Sequence, residues 1–423
     1  MPEKWYLCID LKSFFASVEC VDRGLDPMTA DLVVADPDRT DKTICLAVSP
    51  GLRKKGVKNR CRVFEIPSHL SYIMAPPRMQ RYIDVAAEIY GIYIRHVSPQ
   101  DIHVYSIDEV FLDATPYLAR AGQSPRRFAN FLMNEVFEKT GVRATAGVGT
   151  NLYLAKIALD ITAKHSPDFI GELTEESYRE KLWDHRPLTD FWRIGPGTAE
   201  RLARMGVRTQ REIAHADPDR LYKAFGIDAE LLIDHAWGRE PTTIADIKAY
   251  KSREQCLCSG QVLMRDYSFE EARLILREMA DSLCLELVDQ KLLARSIGLS
   301  VGYSNALKLP MATGSAALCA PARADRVLIP AFESLFDRIV SPKFPVRRLS
   351  LTVAGLCEDT GLRQLSLFEE ENRSLEKNHT VQETVLGIQK RFGKNSVLKG
   401  MNLKPAATMR ERNGQIGGHK RGD

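Results

Sequence analysis

Two adjacent carboxylates, Asp108 and Glu109, stand inside the run Tyr105-Ser106-Ile107-Asp108-Glu109-Val110-Phe111-Leu112-Asp113, whose other residues are mostly apolar and β-prone. Desolvating an unpaired carboxylate is costly, so neighbouring acids in a half-buried strand need a use. A third acid, Asp10, ends the strand-like run Lys4 to Ile9. Taken alone, Asp10 reads as the N-cap of the following helix. Taken with the acidic pair, it completes three carboxylates on neighbouring sheet elements, a set suited to two hard divalent cations about 3.5–4 Å apart. In a regular strand Asp108 and Glu109 would face opposite sides, so both can serve one site only if the backbone bends there.

The frame around these residues is that of an ordinary globular protein. The chain has 423 residues, 44% hydrophobic and 27% charged, which suggests two to four domains. A net charge of +4 is compatible with nucleic acid but does not establish it. Nine scattered Cys without a CxxC pair argue against a zinc ribbon. The odd count and a start lacking a targeting pattern suggest reduced thiols in a cytoplasm. No apolar run is long enough to span a bilayer.

The predicted elements alternate. Strand Lys4–Ile9 precedes a helix over Leu11–Cys20, and strands Leu32–Ala35 and Thr43–Val48 precede a basic stretch containing Arg53, Lys54 and Lys55. Such a stretch reads as a solvated face or a phosphate-holding one. A helix over Met79–His96, the acidic strand His103–Leu112, a helix over Arg127–Lys139, a strand over Arg143–Gly149 and a helix over Asn151–Ala163 follow. This order predicts an α+β sheet layer of ferredoxin-like type. Lys156 falls inside the last helix and must snorkel or find a partner. Gly195-Pro196-Gly197-Thr198 reads as a hairpin between two helices, with N–H groups free to meet phosphate at Gly195, Gly197 and Thr198, or as an ordinary helical corner. Gly206 closes that helix. A linker over 241–250 leads to a last unit with strands over Cys256–Met264, Ser296–Val301 and Arg348–Val353. Val381, Val385, Ile388 and Phe392 predict one amphipathic helix, and residues 413–423 have the composition of a flexible basic end. From 371 to 423 there are eleven Lys/Arg against five Asp/Glu.

Four stretches in the right order, Asp10-Leu-Lys-Ser-Phe-Phe-Ala-Ser-Val-Glu19, Ser106-Ile-Asp-Glu109, Gly147-Val-Gly-Thr-Asn-Leu-Tyr-Leu-Ala-Lys156 and Gly195-Pro-Gly197, closely resemble the Y-family translesion DNA polymerases of DinB and UmuC type. The resemblance spans about residues 4 to 368 and implies an α+β multidomain right hand: a ferredoxin-like palm (1–25 and 76–170), small fingers (26–75), a helical thumb with a helix-hairpin-helix (171–240), and an α/β little finger (251–357). Residues 358–423 would form a tail. It implies that Asp10, Asp108, Glu109 and the Leu11 carbonyl hold two Mg²⁺ or Mn²⁺. Asp10 and Asp108 would be shared, Glu109 would lie on the primer side and the Leu11 carbonyl on the nucleotide side. Phe15 would be the steric gate against ribonucleotides, with Phe14 beneath the sugar. Arg53 and Lys164 would bind the triphosphate, although the spacing to Lys164 departs by one residue. Many relatives carry a Tyr three positions before that Arg, where this chain has Pro50, which puts one nucleotide contact in doubt.

Gln364-Leu365-Ser366-Leu367-Phe368 resembles a bacterial sliding-clamp-binding peptide, against the alternative of a short buried strand. The expected activity is DNA-templated DNA synthesis of the lesion-bypass class by a monomer, with primer-template DNA, dNTP, the clamp and RecA or accessory subunits as partners. Two rivals are a non-catalytic adaptor bound to DNA and clamp, and another two-metal palm enzyme such as a nucleotide cyclase. The retained carboxylates oppose the first. The hairpin and clamp peptide oppose the second.

Overall fold

Strand β1 (Tyr6–Leu11) is buried at five of its six positions, because apolar residues occupy both of its faces. A computed structural model describes residues 4–252, 255–361 and 369–422 and divides the chain into two compact units, 1–250 with 422–423, and 251–421. In the first unit β1 is followed by α1 (Phe14–Val21), β2 (Leu32–Val34), β3 (Ala47–Val48), α2 (Pro50–Lys54), β4 (Ile73–Ala75) and α3 (Met79–Tyr93). Then come β5 (Ile102–Val104), β6 (Glu109–Asp113), α4 (Thr115–Ala121), α5 (Pro125–Thr140), β7 (Ala144–Gly149), α6 (Leu152–Ile157) and β8 (Ile170–Leu173). The five-stranded sheet runs β5-β6-β1-β7-β8, with β1 antiparallel to both neighbours. Without the added edge strand β8, this is the β-α-β-β-α-β order of a ferredoxin-like layer.

Helices α3 and α5 pack on one face, where Ile9, Tyr82, Ile89, Phe128 and Leu132 share a core. Helix α6 lies on the other face, against Cys8 and Phe111. It lies unusually close. A Cβ at Gly147 would come 2.0 Å from the Ala155 carbonyl oxygen, and one at Gly171 would come 2.3 Å from that of Ala158. Only glycine permits such an approach.

A small separate core of Val33, Ala35, Cys45, Val48, Leu52 and Cys61 sits under the sheet β3-β2-β4. The expected strand Thr43–Val48 shortens to two residues, because Ile44 makes only an isolated bridge to Arg62. The remainder of this unit is helical: α7 (Glu175–Leu182), α8 (Pro196–Arg204), α9 (Gln210–Ala214), α10 (Pro218–Phe225), α11 (Asp228–Trp237) and α12 (Ile244–Ala249). The arm before Gly195 is not the second α-helix expected. It is a one-turn 3₁₀ segment, Leu188–Asp190, bounded by Pro187.

The second unit repeats the β-α-β-β-α-β order: β9 (Cys256–Tyr267), α13 (Phe269–Asp289), β10 (Leu292–Tyr303), β11 (Ala312–Ala322), α14 (Asp325–Ile339) and β12 (Val346–Ala354), in the sheet β11-β10-β12-β9. Strand β11 was not expected, because its Ala, Gly, Ser and Thr residues carry no apolar alternation. β13 (Cys357–Glu358), α15 (Glu369–Phe392), α16 (Met409–Arg412) and the pair β14 (Gln415–Ile416) and β15 (His419–Lys420) complete it.

Within the end expected to be flexible, 413–423, β14 pairs with β15 and Asn413 Nδ2 donates to Asn395 Oδ1 at 2.8 Å, while the segment before it is docked on α13. Buried Glu278 of α13 accepts hydrogen bonds from Asn402 Nδ2 at 2.8 Å, Thr408 N at 2.8 Å and Met409 N at 3.2 Å. Lys399 pairs with Asp281 at 2.6 Å and also with Asp325. The helix read from Val381, Val385, Ile388 and Phe392 is present as α15, but its stripe is only partly covered, with Val385 and Ile388 half-buried. Val381 and Phe392 are 51% and 65% exposed, while Asn378 and Gln382 are buried. This helix docks through polar groups, Asn378 Nδ2 donating to Asp325 at 2.6 Å. The peptide Gln364–Phe368 lies outside the described residues. No helix among the described residues is long and apolar enough to cross a membrane.

Because Glu278 caps α16 and holds three donors, Glu278→Ala should cost about 2–3 kcal/mol. It should also speed amide exchange across 400–412, and unchanged exchange there would show that the carboxylate does not hold the segment.

Candidate active site

Asp10 and Glu109 are direct cross-strand partners. The flanking pair Leu11–Asp108 carries the backbone hydrogen bond, Leu11 N to Asp108 O at 2.9 Å. Asp10 and Glu109 therefore occupy the non-hydrogen-bonded register, where side chains approach most closely. Asp108 lies just outside β6, in a bend over 106–108. Tyr105 N and Ser106 N both donate to the Glu109 carbonyl, at 3.0 and 3.1 Å, and close this turn. The bend that two adjacent acids require is present, so Asp108 and Glu109 do not alternate across a straight strand.

The two acids are held differently. Asp108 Oδ1 accepts from the Ser106 hydroxyl at 2.6 Å and is half-buried. Glu109 is buried. Its Oε1 faces Cys8 Sγ at 3.2 Å, and its Oε2 accepts from Lys156 Nζ at 2.9 Å. Lys156 also reaches Asp160 Oδ1 at 3.2 Å. Burial works against the Lys156 charge, but the carboxylates Asp160 and Glu109 oppose it and the ammonium is held above the usual lysine value. Burial pushes the Cys8 thiol well up, with Glu109 adding to the effect, so Cys8 is a thiol donor.

Asp10 is pushed up to about 7, first by burial and then by Asp108 and Glu109. A carboxylate facing two like charges in a half-buried cleft is stabilised by a cation, and hard oxygen donors match Mg²⁺ or Mn²⁺. Among the described residues, no three His, Cys, Asp or Glu side chains are gathered closely enough to hold a metal ion as they stand. Glu109 is engaged by Lys156 and Asp108 by Ser106.

Basic side chains border the acids. The Lys12 ammonium is lowered by burial, then by Arg53, with Lys54 and Arg143 adding and Asp10 opposing. Arg53, on α2, is exposed and within electrostatic reach of Lys12. Pro50 takes the first position of α2 and Ser49 caps it, accepting from Leu52 N at 3.3 Å. Lys12 and Lys156 were not read as site residues. Spacing offered a signal for both, since Lys12 follows Asp10 by two residues and Lys156 sits in an otherwise apolar helix turn.

Phe15 is half-buried and stacks on Tyr82, ring centroids 4.5 Å apart at 17°. Tyr82 is fixed in turn by its hydroxyl, which donates to buried Glu19 at 2.8 Å. Phe14 is only 2% exposed and belongs to the core, so it offers a ligand almost no surface and acts as packing behind Phe15. Lys164 is exposed in the 3₁₀ turn Ala163–His165. A π-helical turn, Ala158–Thr162, separates it from α6. Gly195, Pro196 and Gly197 are exposed at the start of α8, Thr198 is half-buried, and a Cβ at either glycine would meet nothing within 4 Å.

Comparison with known proteins gives the family. Residues 9–160 match the impB/mucB/samB family and residues 254–367 match the impB/mucB/samB family C-terminal domain. The chain is 33% identical over 425 residues to the UV-damage repair protein UvrX of Bacillus subtilis (strain 168), covering 99% of this chain and 98% of that one. It is 29% identical over 433 residues to DNA polymerase IV 2 of the same organism, covering 99% of each. Among solved structures, a Y-family DNA polymerase chimera of Dbh and Dpo4 matches with a TM-score of 0.67 at 20% identity, over 84% of this chain and 99% of that one. With both family regions in order and a relative similar end to end, this chain belongs to the impB/mucB/samB family and has the fold of the Y-family DNA polymerases.

Proposed function

We propose that this chain is a DNA-templated DNA polymerase of the lesion-bypass class, joining a dNTP to a primer 3′-hydroxyl with release of pyrophosphate. The observation that carries the proposal is the carboxylate pair Asp10–Glu109 on adjoining strands, with Asp108 in the bend beside it, Lys12 near Asp10, and Arg53, Lys54 and Arg143 near Lys12. The sheet layer 1–25 and 76–170 is the palm, 26–75 the fingers and 171–240 the thumb. Residues 241–250 form the linker, and 251–357 form the little finger. Asp10 and Asp108 would hold both of two Mg²⁺ or Mn²⁺ ions, Glu109 the primer-side ion and the Leu11 carbonyl the nucleotide-side ion. Bound there, such ions activate the attacking hydroxyl and offset charge on the leaving oxygen.

The protein's own residues position the substrates. Arg53 presents a forked donor to the triphosphate from a short helix held by Pro50 and Ser49, and Lys12 and Arg143 add positive charge beside it. Phe15, backed by Tyr82, is the steric gate. A π turn takes up one residue more than an α turn, which reconciles the altered spacing with a triphosphate role for Lys164. Gly195, Gly197 and Thr198 open backbone donors to a DNA phosphate. The peptide Gln364–Phe368 would tether the enzyme to a sliding clamp, raising its local concentration on DNA. A monomer acting in the cytoplasm, with RecA or accessory subunits as further partners, fits this reading.

Primer extension on undamaged and abasic templates with Mg²⁺ tests the proposal. Asp108→Ala should abolish extension, and undiminished extension would favour the adaptor. Phe15→Ala should raise the ribonucleotide to deoxyribonucleotide ratio of kcat/KM by at least about tenfold. An unchanged ratio would remove the gate assignment.

The raised Asp10 group gives a pH test. Its folded value of about 7 exceeds the ordinary 3.8, so metal-free protein loses stability as pH rises through that interval. Asp10→Asn should match wild type near pH 4. Above pH 7 it should exceed wild type by up to about 3–4 kcal/mol without metal. Added Mg²⁺ should narrow that gap, and thermal melts with and without Mg²⁺ read both effects.

A further inference from the structure

Lys156 is only 8% exposed and is joined to Glu109 and Asp160, which stand on different elements. Its position is set by the close seating of α6. Asn151 caps that helix, its Oδ1 accepting from Leu154 N at 2.8 Å, while its Nδ2 donates to the Gly238 carbonyl at 2.8 Å. Gly147 and Gly149 let the helix backbone touch the sheet, where a Cβ would fall 2.0 Å from Ala155 O and 2.2 Å from Ala155 N. The ammonium therefore arrives at Glu109 from a rigid support rather than as a loose surface side chain.

Glu109 is itself only 8% exposed, and an anion that buried does not stand without a counter-charge. Lys156 supplies it at Oε2, so a cation held by this carboxylate would meet the ammonium there. Asp160 stands one helical turn from Lys156 on the same surface, so the ammonium can leave Glu109 and keep a partner.

We infer that Lys156 is a resident counter-ion for Glu109 that competes with the divalent cation, so that metal uptake at this carboxylate is an exchange rather than the filling of a vacant site. Lys156 is a positioning residue and touches neither substrate. The inference rests on the reading of Asp10, Asp108 and Glu109 as metal ligands. It accounts for the absence, among the described residues, of a gathered acidic cluster beside three neighbouring acids.

Mn²⁺ titration of the metal-free full chain, without DNA or nucleotide, tests it by calorimetry or by the paramagnetic signal of free Mn²⁺. Lys156→Met should bind Mn²⁺ at least about tenfold more tightly than wild type while melting at a lower temperature without metal. Lys156→Arg keeps the charge and should restore an affinity near that of wild type. If Lys156→Met does not fold, Lys156→Gln, which keeps a donor but not the charge, should show the same tightening. A lower melting temperature with unchanged or weaker Mn²⁺ binding would overturn the inference and leave Lys156 a structural role. Asp108→Ala separates the two levels. Loss of Mn²⁺ uptake in Asp108→Ala with no effect of Lys156→Met defeats only the exchange role. No uptake by wild type or Lys156→Met defeats the metal reading and the inference with it.

Discussion

Asp10 and Glu109 oppose each other across two adjacent strands at the register where side chains come closest, and that repulsion is the constraint to which the surrounding structure answers. Like charges in a half-buried cleft need compensation at short range, because solvent cannot screen them there. Compensation arrives from both faces of the site. Below, Lys156 holds Glu109. Beside it, Lys12 lies within electrostatic reach of Asp10, and Arg53, Lys54 and Arg143 lie within reach of Lys12. The close seating of α6 on glycine, the cap at Asn151 and the hairpin that ends in the bend at Asp108 place these charges within reach of one another. Replacing Gly147 with even alanine would lift α6 from the sheet and withdraw the ammonium along with it.

The parts of this arrangement that follow from local pattern were legible in the sequence. Buried β1 and β7 are short apolar runs bounded by turns, and the demand for a bend followed from the alternation of strand side chains. What was not legible depends on packing between distant segments. β11 is mostly Ala, Gly, Ser and Thr; it pairs with β10 and sets only Ala312, Ala316 and Leu318 against the core, too weak an alternation to read. The three-residue β4 pairs in parallel with β2 across an intervening helix and loop. Phe14 and Phe15 are alike in sequence, yet one is core and the other stacks on Tyr82, a difference set by a helix more than sixty residues away.

The same limit explains the carboxyl-terminal region. Composition suggested a basic, loosely ordered end, but charge balance does not register where single buried acids lie. Glu278, Asp281 and Asp325 are the acids that receive it, and each engages a polar group of the segment beyond α14. Helix α15 docks with amides inward and leaves Val381 and Phe392 exposed, so a stripe of apolar residues was a poor guide to its buried face. Periodicity identifies a face only when burial is driven by apolar area. Here the hydrogen bond from Asn378 to Asp325 takes part of that role.

The adjacent acids finally differ in a way that residue type alone does not reveal. Glu109 is in a paired strand, buried, and fixed at both oxygens. Asp108 lies in a bend, half-buried, and meets a rotatable hydroxyl. Moving Glu109 requires an ammonium to change partner, whereas moving Asp108 requires only a serine rotor to turn. Pro50 serves the same economy of motion on the other side. It gives up a side-chain donor, but at the first helical position it pre-sets the short helix that carries Arg53.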